Sequence, residues 1–113
     1  MHEMSLTESL VELIESERAK RGFARVHAVR LAIGALGHVE PDAMLFCFDA
    51  VARGTIAEGA RLDIRMVPGE AWCLDCGKTV RVSERGARCP ECGQGRLQVT
   101  GGDDLRLTEL EVD

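Results

Sequence analysis

The sequence predicts an α+β fold, with two helices on a three-stranded sheet and a small four-cysteine domain inserted before the last strand. Three observations carry this reading. A capped, helix-periodic segment opens the chain. Three short segments alternate apolar and polar residues. Between the second and third of these lie two C-x-x-C pairs in a stretch poor in large apolar residues.

Ser5 followed by Glu8 fits a capping box, and Leu6, Leu10, Leu13 and Ile14 then repeat at helical spacing. Arg18, Lys20 and Arg21 suit the negative end of the helix dipole and Gly22 suits a stop, which places helix one over residues 5–21. Val29, Leu31 and Ile33 alternate with Arg30 and Ala32 as a strand, broken by Gly34 and Gly37. Pro41 suits the first turn of a second helix, with Leu45, Phe48 and Ala52 as its inner stripe and Gly54 as its end. Leu62, Ile64 and Met66 give a second strand, closed by Pro68-Gly69, and Leu105 and Leu107 give a third. The cysteine segment then reads as an insertion in the α+β domain.

At 113 residues and 45% apolar content, the chain suits one modest core, which a metal staple would support. It contains no apolar run long enough for a membrane span, and its start has no basic n-region of a secretory signal, so a cytoplasmic protein is expected. A net charge of −5 argues against nucleic acid as a partner.

Of the five cysteines, Cys47 sits in an apolar helical run and reads as a small buried hydrophobe. Cys73, Cys76, Cys89 and Cys92 form two matching knuckles, each followed by a glycine, Gly77 and Gly93. Two-residue spacing turns both sulfurs of a pair toward one ion. Four thiolates make a closed tetrahedral site, which suits structural Zn²⁺; iron and a redox dithiol stay open as alternatives. Within residues 73–96, five cations face three anions, and a zinc held by four thiolates adds about −2, so the module is near neutral. Trp72 is its single aromatic neighbour, too little for a base-stacking platform.

The N-terminus offers a second kind of metal chemistry. His2 can present its imidazole and its own amide nitrogen beside the terminal amine of Met1 in linked chelate rings, a set that favours tetragonal Ni²⁺ or Cu²⁺. Met1 is expected to remain, because His2 is a poor context for its removal. Glu3 supplies a carboxylate to balance the cation. Against this, a lone N-terminal histidine is ordinarily a solvated residue, and the start of a helix repels cations.

Met1-His2-Glu3-Met4-Ser5-Leu6, Ile33-Gly34, Val39-Glu40-Pro41, Phe46-Cys47-Phe48-Asp49, Ala57-Glu58-Gly59 and the two knuckles together resemble the HypA/HybF family of hydrogenase nickel-incorporation proteins, over nearly the whole chain. The resemblance implies a nickel metallochaperone with no catalysis of its own. Residues 1–69 and 101–113 would form a nickel-binding α+β domain and residues 70–100 a zinc-ribbon-like domain. Zn(II) would be structural and Ni(II) the cargo. His2 would be the principal nickel ligand, Glu3 would add backbone nitrogen and carboxylate, and Met1 and Glu40 would join them. His38 departs from the family's usual small residue or cysteine. Two positions from Glu40, it is either a further nickel ligand or a solvated loop histidine. Implied partners are the GTPase HypB, the large subunit of [NiFe]-hydrogenase and urease maturation proteins, with the chain a monomer or weak homodimer. A nucleic-acid or protein-docking ribbon is the rival reading. An enzyme is disfavoured, since no phosphate loop, nucleophile motif or open zinc position is present in the sequence.

Overall fold

A computed structural model describes residues 2–113. In chain order its elements are α1 (His2–Arg21), β1 (Val26–Gly34), a 3₁₀ turn (Ala35–Gly37), α2 (Pro41–Ala52), β2 (Arg61–Val67), β3 (Gly69–Cys73), β4 (Lys78–Val82), β5 (Leu97–Gly101) and β6 (Leu105–Val112). The strands form two three-stranded sheets, ordered β2-β1-β6 and β4-β3-β5. The chain divides into two compact units. The first comprises Met1–Leu31, Val39–Ile64 and Leu107–Asp113, and the second Ala32–His38 and Arg65–Arg106. Among the described residues no helix is long and apolar enough to cross a membrane.

The first unit has the expected two helices and the strands β2, β1 and β6, but both helices differ in detail. Helix α1 begins at His2, not at Ser5, so the expected capping residue lies inside the first turn. Tertiary contact overrides the local cap signal: the Glu3 side chain is largely buried and accepts the Glu40 backbone N–H. The buried stripe of α1 is Glu3, Thr7, Leu10, Val11 and Ile14, at regular helical spacing, while Leu13, expected inside, is exposed. Helix α2 buries Met44, Cys47, Phe48 and Ala52, so Leu45 is also outside. Cys47 is buried, as its apolar context suggests. Across the sheet, Arg30 of β1 reaches Glu109 and Glu111 of β6 and Asp63 of β2 at 2.6, 2.9 and 3.5 Å.

In the second unit β3 is central, with Ala71 opposite Val80 on one side and Val99 on the other. Its core is Leu36, Ala71, Cys73, Val80, Val82 and Cys89. Leu36 comes from the 3₁₀ turn, far away in sequence. The turn is held by Gly34 N–H to the Asp104 carbonyl at 2.8 Å and Leu36 N–H to the Gly102 carbonyl at 2.9 Å, and the Arg85 guanidinium donates to the Leu36 carbonyl at 3.2 Å. So close a crossing requires glycine at positions 34 and 102. A Cβ on Gly34 would overlap the Gly102 carbonyl, and Gly102 itself has φ +76° with its Cβ direction filled by the Pro68 carbonyl.

Candidate metal centres

Strand β3 delivers Cys73 and the turn after it delivers Cys76, while Cys89 and Cys92 stand on the loop between β4 and β5. Both knuckles close alike. Gly77 N–H donates to the Cys73 carbonyl at 2.8 Å and Gly93 N–H to the Cys89 carbonyl at 2.9 Å, with both glycines at positive φ (68° and 74°). That closure turns the Cys76 amide toward Cys73 Sγ at 3.3 Å and the Glu91 amide toward Cys89 Sγ at 3.4 Å. These N–H···S bonds stabilise thiolate charge.

The four sulfurs lie within 4.8 Å of one another, with Cys73–Cys92 at 3.7 Å and Cys76–Cys89 at 3.9 Å. A zinc ion at about 2.3 Å from each of four tetrahedral sulfurs would set them about 3.8 Å apart. The donor set therefore fits Zn²⁺ in both chemistry and spacing. Cys73 and Cys89 are buried, and Cys92 is exposed.

Crowding four sulfurs at one point separates their proton affinities. Cys76 is pushed up to about 12 by its contact with Cys92 and then by burial, whereas Cys89 is lowered to about 7 by the amides of Cys92 and Glu91. A divalent cation takes the place of the thiol protons, so ion binding strengthens as pH rises.

Two ion pairs cross-brace the knuckles, Arg96–Asp75 and Lys78–Glu91, each at 2.7 Å. Asp75 is held below the usual carboxylate range by Arg96, and Lys78 is raised by Glu91. In the sequence these side chains register only as net charge. Their pairing depends on the loop fold, and no local motif signals it.

In the first unit, Glu3 Oε2 accepts the Glu40 N–H at 3.3 Å and lies 3.7 Å from His2 Nδ1. The Glu40 N–H, and next Glu3's own backbone N–H, hold the Glu3 carboxyl below its ordinary value against the opposing effect of burial. The His2 side chain is 54% exposed. Glu40 is the exposed N-cap residue of α2 and makes no side-chain cap. The structure thus sets the Glu3 carboxylate beside the His2 ring and the Glu40 backbone amide. Met1, also a candidate ligand, lies outside the described residues. His38 belongs to the other unit and is the one non-glycine residue with positive φ (56°) among the described residues. Among the described residues, the four cysteines are the one group of His, Cys, Asp or Glu side chains whose ligand atoms already gather around a point.

A closed four-thiolate centre leaves no position for substrate, and with a separate polar N-terminal cluster it defines a zinc-stapled metal-binding protein. A family model described as "Hydrogenase/urease nickel incorporation, metallochaperone, hypA" matches residues 1–112. The chain is 60% identical over 113 residues to the hydrogenase maturation factor HypA of Methylocella silvestris, and 59% identical to that of Rhodopseudomonas palustris, covering 100% of each chain. It also resembles the solution structure of the Ni metallochaperone HypA from Helicobacter pylori, with a TM-score of 0.72 and 25% identity over 99% of this chain and 97% of that one. The chain belongs to the HypA family of nickel-incorporation metallochaperones. It is a metallochaperone of hydrogenase maturation and not an enzyme, with zinc as structural ion and nickel as cargo.

Proposed function

We propose that the chain takes up Ni²⁺ at its N-terminus and delivers it to the large subunit of [NiFe]-hydrogenase, working in the cytoplasm with the GTPase HypB. Urease maturation proteins are further candidate partners. In this reading residues 1–69 and 101–113 handle nickel, and residues 70–100 hold zinc through Cys73, Cys76, Cys89 and Cys92. His2 is the principal nickel ligand through imidazole and amide, with Met1, Glu3 and Glu40 completing the set and His38 either a further ligand or a solvated loop residue.

The observation that carries the N-terminal site is the geometry of the start of α1. First-turn amides have no intrahelical carbonyl acceptor, so a metal that displaces the amide proton of His2 or Glu3 breaks no helix hydrogen bond. The Glu3 carboxylate beside His2 supplies negative charge at that point. Metal analysis of nickel-treated, untagged protein tests the reading. The expected content is one zinc and one nickel per chain. His2→Ala and an N-terminal extension should each remove the nickel alone, and His38→Ala reports whether that residue takes part. Normal nickel binding by both the His2→Ala and the extended protein would overturn the site.

A further inference from the structure

Helix α2 carries a second stripe that the fold does not use. Asp42, Leu45, Phe46 and Asp49 follow i, i+3, i+4, i+7 spacing on the face opposite buried Met44, Cys47, Phe48 and Ala52. Phe46 is 77% exposed, the highest value among the exposed large hydrophobics, and Leu45 beside it is 42% exposed. Scattered apolar exposure is ordinary, but an adjacent pair bracketed by two carboxylates at helical spacing is a pattern.

One of the carboxylates also asks for an explanation. Asp49 lies in the last turn of α2, where the helix dipole disfavours an anion, and no basic residue shares that turn. Neither Asp42 nor Asp49 is in an ion pair among the described residues. Exposed Glu40 extends the acidic rim to the N-cap. Asp42 and Glu40 suit the positive N-terminal end of α2, but nothing of that kind within α2 accounts for Asp49.

We propose that this face of α2 docks a partner protein through a basic amphipathic segment, whose apolar side chains cover Leu45 and Phe46 while lysines or arginines meet Asp42, Asp49 and Glu40. Charge complementarity selects that occupant. A second copy of the chain would set the same carboxylates against each other in a molecule of net charge −5, and an anionic lipid surface would be repelled. An apolar centre with a charged rim is the usual anatomy of a protein interface, and an aromatic anchor is a common source of its energy. The surface shares only Glu40 with the proposed nickel site, and its centre, Leu45 and Phe46, does not depend on where nickel binds.

The test uses the full-length zinc-loaded protein and a synthetic helical Leu/Lys amphipathic peptide, with Leu/Glu and Ser/Lys peptides as controls. The Leu/Lys peptide alone should bind saturably and shift backbone amide NMR signals along α2. Phe46→Ser, and separately Asp42→Lys with Asp49→Lys, should weaken it about tenfold or more. Zinc content and thermal midpoint should be preserved, because these side chains lie outside the core. Absence of saturable Leu/Lys binding, or undiminished binding to Phe46→Ser, would overturn the proposal. So would a wild-type dimer in sedimentation that Phe46→Ser converts to monomer, since the face would then belong to a second copy. His2→Ala should bind the peptide as wild type does, so a failure of the nickel site and a failure of this surface are read separately.

Discussion

Leu36→Ala should weaken zinc binding although Leu36 touches no metal and lies outside the cysteine segment. Its side chain is 1% exposed in a core whose other members are Ala71, Cys73, Val80, Val82 and Cys89. Truncating a buried leucine costs about 2–5 kcal/mol, depending on how far the site collapses. Collapse is restricted here, because Gly69 faces Leu36 with no side chain to move into the gap: a Cβ there would lie 2.5 Å from Leu36 Cγ. A loss of about 3–4 kcal/mol follows. If this unit folds only with its ion, the loss appears as apparent zinc affinity weakened by about two to three decades, at 1.4 kcal/mol per decade. Competition against a chromophoric chelator measures it, with the thermal midpoint of the zinc-loaded protein as a second readout. Leu36→Met conserves volume and should cost under about tenfold. A Leu36→Ala protein within about threefold of wild type by chelator competition would show that the turn is a bystander and that the knuckles fold on their own.

The glycine crossing gives a second expectation. Gly102→Ala must leave φ +76° or move backbone at Pro68 and Gly69, and should lose about 2–4 kcal/mol in urea unfolding, whereas Gly101→Ala, whose Cβ would meet only the Glu70 side chain, 3.4 Å away at its nearest, should cost far less. In the first unit, Arg61 holds the Asp63 carboxyl below its ordinary value and His27 does the same for Asp113. For depressed carboxyls the stabilisation is complete above the unfolded value near 3.9 and disappears as pH falls through the lower folded value. Urea midpoints should therefore drop below about pH 4, and less steeply in Asp63→Asn. Arg30→Ala, which leaves Asp63, Glu109 and Glu111 facing one another, should lower the thermal midpoint more at low salt than at high salt. Glu3→Gln should weaken nickel binding in titration calorimetry without changing its pH slope near neutrality, because a carboxyl held below its ordinary value stays ionised there.

The cysteine centre was readable because its chemistry is local: two residues between ligands are enough to specify it. The helices were readable as helices, but their inward faces were not. In α2 the run Met44-Leu45-Phe46-Cys47-Phe48 is apolar all round, so periodicity alone cannot choose a side. In α1 the inward stripe begins with Glu3 and Thr7, polar residues satisfied by partners that only folding supplies: Glu40 N–H for the carboxylate, and the Glu3 carbonyl, which accepts the Thr7 hydroxyl at 2.6 Å. Strands β3, β4 and β5 are five residues each and bury small groups such as Ala71, Val80 and Val82, so their alternation is faint. Leu36 could not be placed at all, because its packing partners are more than thirty positions away.

One protein that carries two metals with different fates needs two different kinds of attachment. The sulfur centre is preorganised: ligand spacing already suits the ion, amides support the thiolates, and the ion pairs Arg96–Asp75 and Lys78–Glu91 tie the knuckles together. An ion there is retained because the fold and the coordination stabilise each other. The proposed nickel site has the opposite character. Its donors are first-turn amides and a half-exposed imidazole at the positive end of a helix, where the backbone field repels a cation. Planar chelation by consecutive amides also requires residues 2 and 3 to leave helical geometry, so nickel and the first turn of α1 compete for the conformation of the same backbone. Any partner that favours the helical start, or any rise in proton activity that restores the amide hydrogens, then shifts the balance toward release. A cargo site held in that competition can give up its ion without disturbing the structural one.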